Sequence, residues 1–157
     1  MPSRPVRLFV LLALVAACGG ADDDFDAPTC APGEVVIEGT IDGGQESASL
    51  SGATSYIFVN ALSGELGSLT VTFGDDMLFL EWPDLVANGD SVDARGAVAV
   101  SSLSYGNCDD DGFPGTLRMN DEGGGGAFRL TALRPDADCA APEVSGELTG
   151  CFESTNP

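Results

Sequence analysis

The side chains able to do chemistry in this sequence are overwhelmingly carboxylates. The chain carries 25 Asp and Glu and six Arg, with no His and no Lys. Without histidine neither a Ser-His nor a Cys-His nucleophile pair can be built, and without lysine neither a Ser-Lys dyad nor a Schiff base is available. Carboxylate pairs remain, because glycoside hydrolysis needs only one protonated and one ionised acid ~5–10 Å apart. Acids this dense meet that distance anywhere on a small surface, so spacing selects no pair. Glu81, in the stretch MLFLEWPD, stands out by its setting. Met77 and Phe79 share its strand face, while Leu78, Leu80 and Trp82 take the other. If the 77/79 face is core, Glu81 is a buried carboxyl of the kind general acid catalysis uses; otherwise it lies at a frayed strand end beside Pro83, in water. Trp82, the only tryptophan, reads first as core packing and second as a stacking platform for a sugar or aromatic ligand.

The acidic stretch NCDDDGF (107–113) suggests a different chemistry. Asn107, Asp109, Asp111 and Gly112 fall at positions 1, 3, 5 and 6 of the calcium-loop pattern D-x-[DN]-x-[DN]-G, in which alternate side chains converge on one hard cation. The glutamate expected at position 12 is replaced by Arg118, and the flanks read as strands. The expectation is therefore a charged turn, with a non-helical calcium site as the competing reading and Asp110 or Asp121 completing its shell. GGGG at 123–126 lacks the Lys-Ser/Thr of a phosphate loop and leads into a strand, so it reads as a hairpin tip. No other cofactor is implied.

These groups must be positioned by strands. Strand-like stretches run at 34–41, 54–62, 68–73, 77–82, 91–104, 115–119, 127–134 and 143–152, separated by Gly/Asp/Asn turn clusters. Leu69/Val71/Phe73 alternate with Ser68/Thr70/Thr72, and no window shows a capped 3.6 period. About eight short strands predict an all-β fold, a small antiparallel sandwich or barrel.

Besides Cys18, four cysteines remain, at 30, 108, 139 and 151. In an exported chain they predict two disulfides, since no CxxC pair or histidine completes a zinc site. Cys139 and Cys151 flank the last strand, whose nine or so residues at ~3.3 Å each hold their Cα atoms too far apart for a bridge. If 115–119 pairs with 127–134, Cys108 and Cys139 share one end. If the first and last strands run antiparallel, Cys30 meets Cys151. The expected bonds are Cys108–Cys139 and Cys30–Cys151, with Cys30–Cys139 indicating parallel terminal strands instead.

The N-terminus has the order of a secretory signal: Arg4 and Arg7, the apolar run LFVLLALVAA (8–17), then small residues before Cys18. The run is about half the ~20 residues that cross a bilayer. Val15-Ala16-Ala17-Cys18 resembles the lipobox of bacterial lipoproteins, with valine where leucine is usual. That resemblance implies cleavage after residue 17, acylation of Cys18, and stable anchoring by several chains. Residues 18–29, GGADDDFDAP and onward to Cys30, read as an acidic flexible tether, and 30–157 as one β-domain. Glycine after the cysteine implies the outer membrane, and the acidic run is similar to surface-export signals of some lipoproteins.

Loss of residues 1–17 leaves four arginines against 25 acids, a net charge of −21. Such a chain repels nucleic acid and anionic lipid surfaces. The expectation is a lipid-anchored envelope or cell-surface module, non-catalytic, with the membrane and an unidentified protein or glycan as partners. The alternatives are a carboxylate-only glycan-active enzyme and a calcium-dependent adhesion or assembly module.

Overall fold

A computed structural model describes residues 25–51, 55–59, 67–83, 91–120 and 124–155. The expected signal peptide, Cys18, the tether as far as residue 24, and Asp121 lie outside these residues. Among the described residues, alternating apolar residues and Gly/Asp turns produce eleven strands: β1 (Glu34–Ile41), β2 (Gly44–Ser51), β3 (Ser55–Val59), β4 (Gly67–Phe73), β5 (Asp76–Trp82), β6 (Ser91–Val100), β7 (Leu103–Gly106), β8 (Gly115–Met119), β9 (Gly125–Leu130), the two-residue β10 (Arg134–Pro135) and β11 (Gly146–Glu153). Every pairing is antiparallel. Among the described residues no helix is long and apolar enough to cross a membrane.

Turn chemistry sets the hairpins. Asp42 and Gly43 both take positive φ (49° and 83°) between Ile41 and Gly44, the signature of the two-residue turn whose twist matches paired strands. Ser101, also at positive φ (52°), breaks the stretch 91–104 into the β6–β7 hairpin. The Asp76 carboxylate caps that turn by accepting from the Ser101 amide at 3.1 Å.

The strands form one curled sheet in the order β2-β1-β11-β9-β8-β6-β5-β4-β3. β6 is the strand at which the sheet folds over. Arg95–Ala99 pair with β5 on one edge, while the other edge is divided, Ser91–Ala94 pairing with β8 and Ala97–Val100 with β7. The path ends at β2 and β3, which follow each other in the chain. Ser51 and Ser55 are four residues apart, so these two ends lie within about 14 Å.

One apolar core fills the curl. Val35, Ile37, Leu69, Leu80, Leu117 and Phe128 are among its fully buried members, and burying a side chain of this size contributes about 1.5–3 kcal/mol before the entropy of ordering it is subtracted. Aromatic rings take the space that glycines leave: the Trp82 indole lies on Gly67 and the Phe128 ring on Gly150, each where a Cβ would overlap it.

The all-β antiparallel class and both disulfides are as the sequence predicts. Cys30–Cys151 and Cys108–Cys139 have Cα separations of 5.7 and 5.5 Å. Antiparallel pairing of β1 with β11 brings Val36 opposite Cys151, beside which the chain before β1 folds back. Three strands were not expected as such. β2, GQESASLS, is an edge strand with half-buried Glu46, Ala48 and Leu50 alternating with exposed serines. The other two are β7, split off at Ser101, and the β10 bridge. Gly125 and Gly126 open β9 and are not a hairpin tip, because the Phe152 ring lies against Gly126.

Candidate functional site

The acidic loop 107–114 leaves β7 where β7 and β8 divide the edge of β6, and the singled-out polar side chains gather there. Asn107 sits at the fork. Its amide donates to the Gly96 carbonyl at 2.9 Å, and its Oδ1 accepts from the Gly96 amide at 2.8 Å. The side-chain oxygen thus replaces the backbone carbonyl that a continuing strand would present. Nδ2 donates to the Thr131 carbonyl across the loop.

Two arginines brace the loop. Arg95, opposite Glu81 in the β5–β6 ladder, places Nη2 and Nε 2.6 and 2.7 Å from the Glu81 Oε2. Its Nη1 lies 3.0 Å from Asp109, and Phe113 packs 5.0 Å from the guanidinium. Arg134, in β10, grips both oxygens of Asp111 at 3.0 and 3.3 Å and donates to the Ala141 carbonyl at 2.9 Å. Asp111 also accepts from the Cys108 amide at 2.9 Å, closing a 3-10 turn over Asp109–Asp111. Arg134, then the Cys108 amide, hold the Asp111 carboxyl below the usual carboxylate range, against the opposing effect of burial. The Cys108–Cys139 bond ties the same loop to the segment after β10.

These placements decide between the alternative readings at three positions. The core face of β5 is Leu78/Leu80/Trp82, so Met77, Phe79 and Glu81 lie on the outer face. Both faces of this strand are apolar in sequence, and packing against β4 and β6 decides between them. Glu81 is therefore ion-paired with Arg95 on the outside of the sheet and is not a carboxyl enclosed by apolar side chains. Trp82 is 1% exposed, so its ring is core and presents no stacking surface. The calcium pattern required Asn107, Asp109 and Asp111 to converge, whereas they turn to the Gly96 backbone, to Arg95 and to Arg134. Among the described residues no group of three or more His, Cys, Asp or Glu is arranged to hold a metal ion.

Part of the expected tether packs on the strands. Phe25 is 7% exposed, packed on the outer face of β8 and β9, with the guanidinium carbons of Arg118 and Arg129 5.3 and 5.7 Å from its ring centroid. Phe25, in the segment expected to be a flexible tether, therefore packs with the β-domain. Between residues 27–30 and the strands lies a cleft of about 430 Å³, bordered by Arg118, Asn120, Phe152 and Glu153. The sequence reading missed this contact; its one signal is an aromatic alone in an acidic run, five residues before a cysteine. Arg95 and Arg134 carried no such signal, since their partners are set by register.

The fold and these sites define a disulfide-stapled antiparallel β-domain with an arginine-braced acidic loop and a docked N-terminal segment. Compared with known proteins, the chain matches no family model, no curated protein and no solved structure.

Proposed function

We propose that the chain is a lipid-anchored envelope module, acylated at Cys18 and held at the outer membrane or cell surface, whose β-domain binds or supports a partner and performs no reaction itself. The anchor half is supported by the charged, apolar, small-residue order ending at Val15-Ala16-Ala17-Cys18. One observation carries the non-catalytic half: Glu81, Asp109 and Asp111 each act as acceptors for arginines that brace the 107–114 loop. An acid catalyst needs a proton to give and a reacting atom within reach, and Glu81 is engaged instead with Arg95. A chain of net charge −21 after loss of residues 1–17 favours a protein or glycan partner and repels nucleic acid.

The test is the intact mass of the chain recovered from its native membrane, with protease accessibility on whole cells, beside a Cys18→Ser variant. An acylated chain beginning at Cys18 is expected, and an unlipidated soluble product from the unaltered sequence would overturn the anchor. Turnover in a glycan-substrate screen, lost in Glu81→Gln, would overturn the non-catalytic half.

A further inference from the structure

We propose that residues 25–30 form a latch, with Phe25 as its catch, that turns the outer face of β8, β9 and β11 toward the membrane. The membrane half of this proposal rests on the lipid-anchor reading; the latch half does not.

The segment is held at two points. At one end Cys30 is bonded to Cys151 of β11, and the Gly33 amide donates to the Glu153 carbonyl at 2.7 Å as the chain enters β1. At the other, Phe25 is buried although it lies outside the strand core, with two of the mature chain's four arginines against its ring. Between them, Ala27, Pro28 and Thr29 span the cleft of about 430 Å³ without filling it. A segment pinned only by its disulfide would swing about Cys30, and the clamped ring prevents that. Pro28 restricts its own backbone and that of Ala27, so fewer conformations are lost when the latch closes.

The consequence is reach. Twelve residues separate Cys18 from Cys30 and could extend about 43 Å, whereas the seven to Phe25 span at most about 25 Å. A closed latch keeps the acyl anchor near the Arg118/Arg129 face. The outer face of β4 and β5 lies across the core, away from the bilayer and open to partners.

The latch is tested on the full mature chain carrying Cys18→Ser, using a protease that cuts after aromatic residues and the mass of the released N-terminal fragment. Cleavage after Phe25 is expected at least about tenfold slower than in a synthetic peptide of residues 18–30, because cutting follows the population of the open state. Arg118→Gln/Arg129→Gln is expected to restore the peptide rate while the strands stay resistant. Should that double variant fail to fold, Phe25→Tyr keeps the ring and the cleavage site and is expected to remain protected. Cleavage of the parent chain at the peptide rate overturns the latch.

The membrane half is read on the acylated protein in phosphatidylcholine vesicles, with a fluorophore on Ser91→Cys, beside Arg118 in the β6–β8 ladder, or on Thr72→Cys in β4. Stronger energy transfer to an acceptor lipid from position 91 is expected, and equal transfer overturns the orientation. A chain whose mass shows no acylation ends the membrane half, while the proteolysis result on the latch stands.

Discussion

Asn107 and Gly96 exchange two hydrogen bonds at the fork of β6, one through the Asn107 backbone amide at 2.9 Å and one through its side-chain oxygen at 2.8 Å. The carboxamide ends one strand pairing and lets the chain leave for the acidic loop. Asn107→Ala is expected to lower the unfolding free energy by about 3 kcal/mol, since the Gly96 amide and the Thr131 carbonyl each lose a partner. Asn107→Asp is expected to cost at least as much, because it turns an anionic oxygen toward the Thr131 and Ala132 carbonyls. Urea denaturation measures both. A calcium loop would instead gain affinity from aspartate at this position, so calorimetric titration of Asn107→Asp with millimolar calcium is expected to give no heat.

Asp111 ties stability to acid pH. Arg134 and the Cys108 amide hold its native carboxyl below the ordinary value, so the folded state binds the proton more weakly than the unfolded chain does. Its stabilisation is complete above the unfolded value of about 3.9 and is lost as pH falls through the lowered native value. Asp111→Asn is expected to lower Tm at neutral pH and to flatten the fall in Tm below about pH 4. An unchanged acid slope in thermal melts would show that this pair contributes nothing.

Glu81 and Arg95 face each other across the β5–β6 ladder with side chains only 18% and 16% exposed. Glu81→Gln keeps an acceptor for the guanidinium and is expected to cost less than about 1 kcal/mol. Arg95→Met is expected to cost more, because it also releases Phe113 and Asp109. The Asp109 share is small, its side chain being 93% exposed. A double-mutant cycle read by urea denaturation separates the contributions.

The disulfides close loops of different length, with sequence separations of 121 and 31 residues. Chain-entropy estimates give about 5 kcal/mol for Cys30–Cys151 and about 4 kcal/mol for Cys108–Cys139. Cys30→Ser/Cys151→Ser is therefore expected to lower Tm more than Cys108→Ser/Cys139→Ser. Peptide mapping without reduction checks the pairing itself.

Local chemistry made much of the architecture legible. Asp42-Gly43 marks a hairpin turn whatever surrounds it, and Leu69/Val71 mark a core face by alternation. The disulfide partners followed from strand polarity, because a bridge spans only a few ångströms and a strand carries its ends far apart. β2 was missed because GQESASLS has few apolar residues: an edge strand half covered by one neighbour needs only Ala48 and Leu50 for its inner face. β7 was missed because nothing apolar is lost at Ser101 and Ser102, where the chain turns.

The sequence by itself determined the antiparallel all-β class, the two disulfides and the exclusion of histidine- and lysine-dependent chemistry. Each of these depends on residue identity, period-two alternation or the direction of neighbouring strands. Only the tertiary structure decided which face of β5 is core, that Glu81 meets Arg95, that Asn107 braces a strand fork, and that Phe25 packs with the β-domain. The physical reason is range: alternation assigns two faces to a strand without saying which is inside, and cross-strand partners depend on a register set by residues far away in the chain.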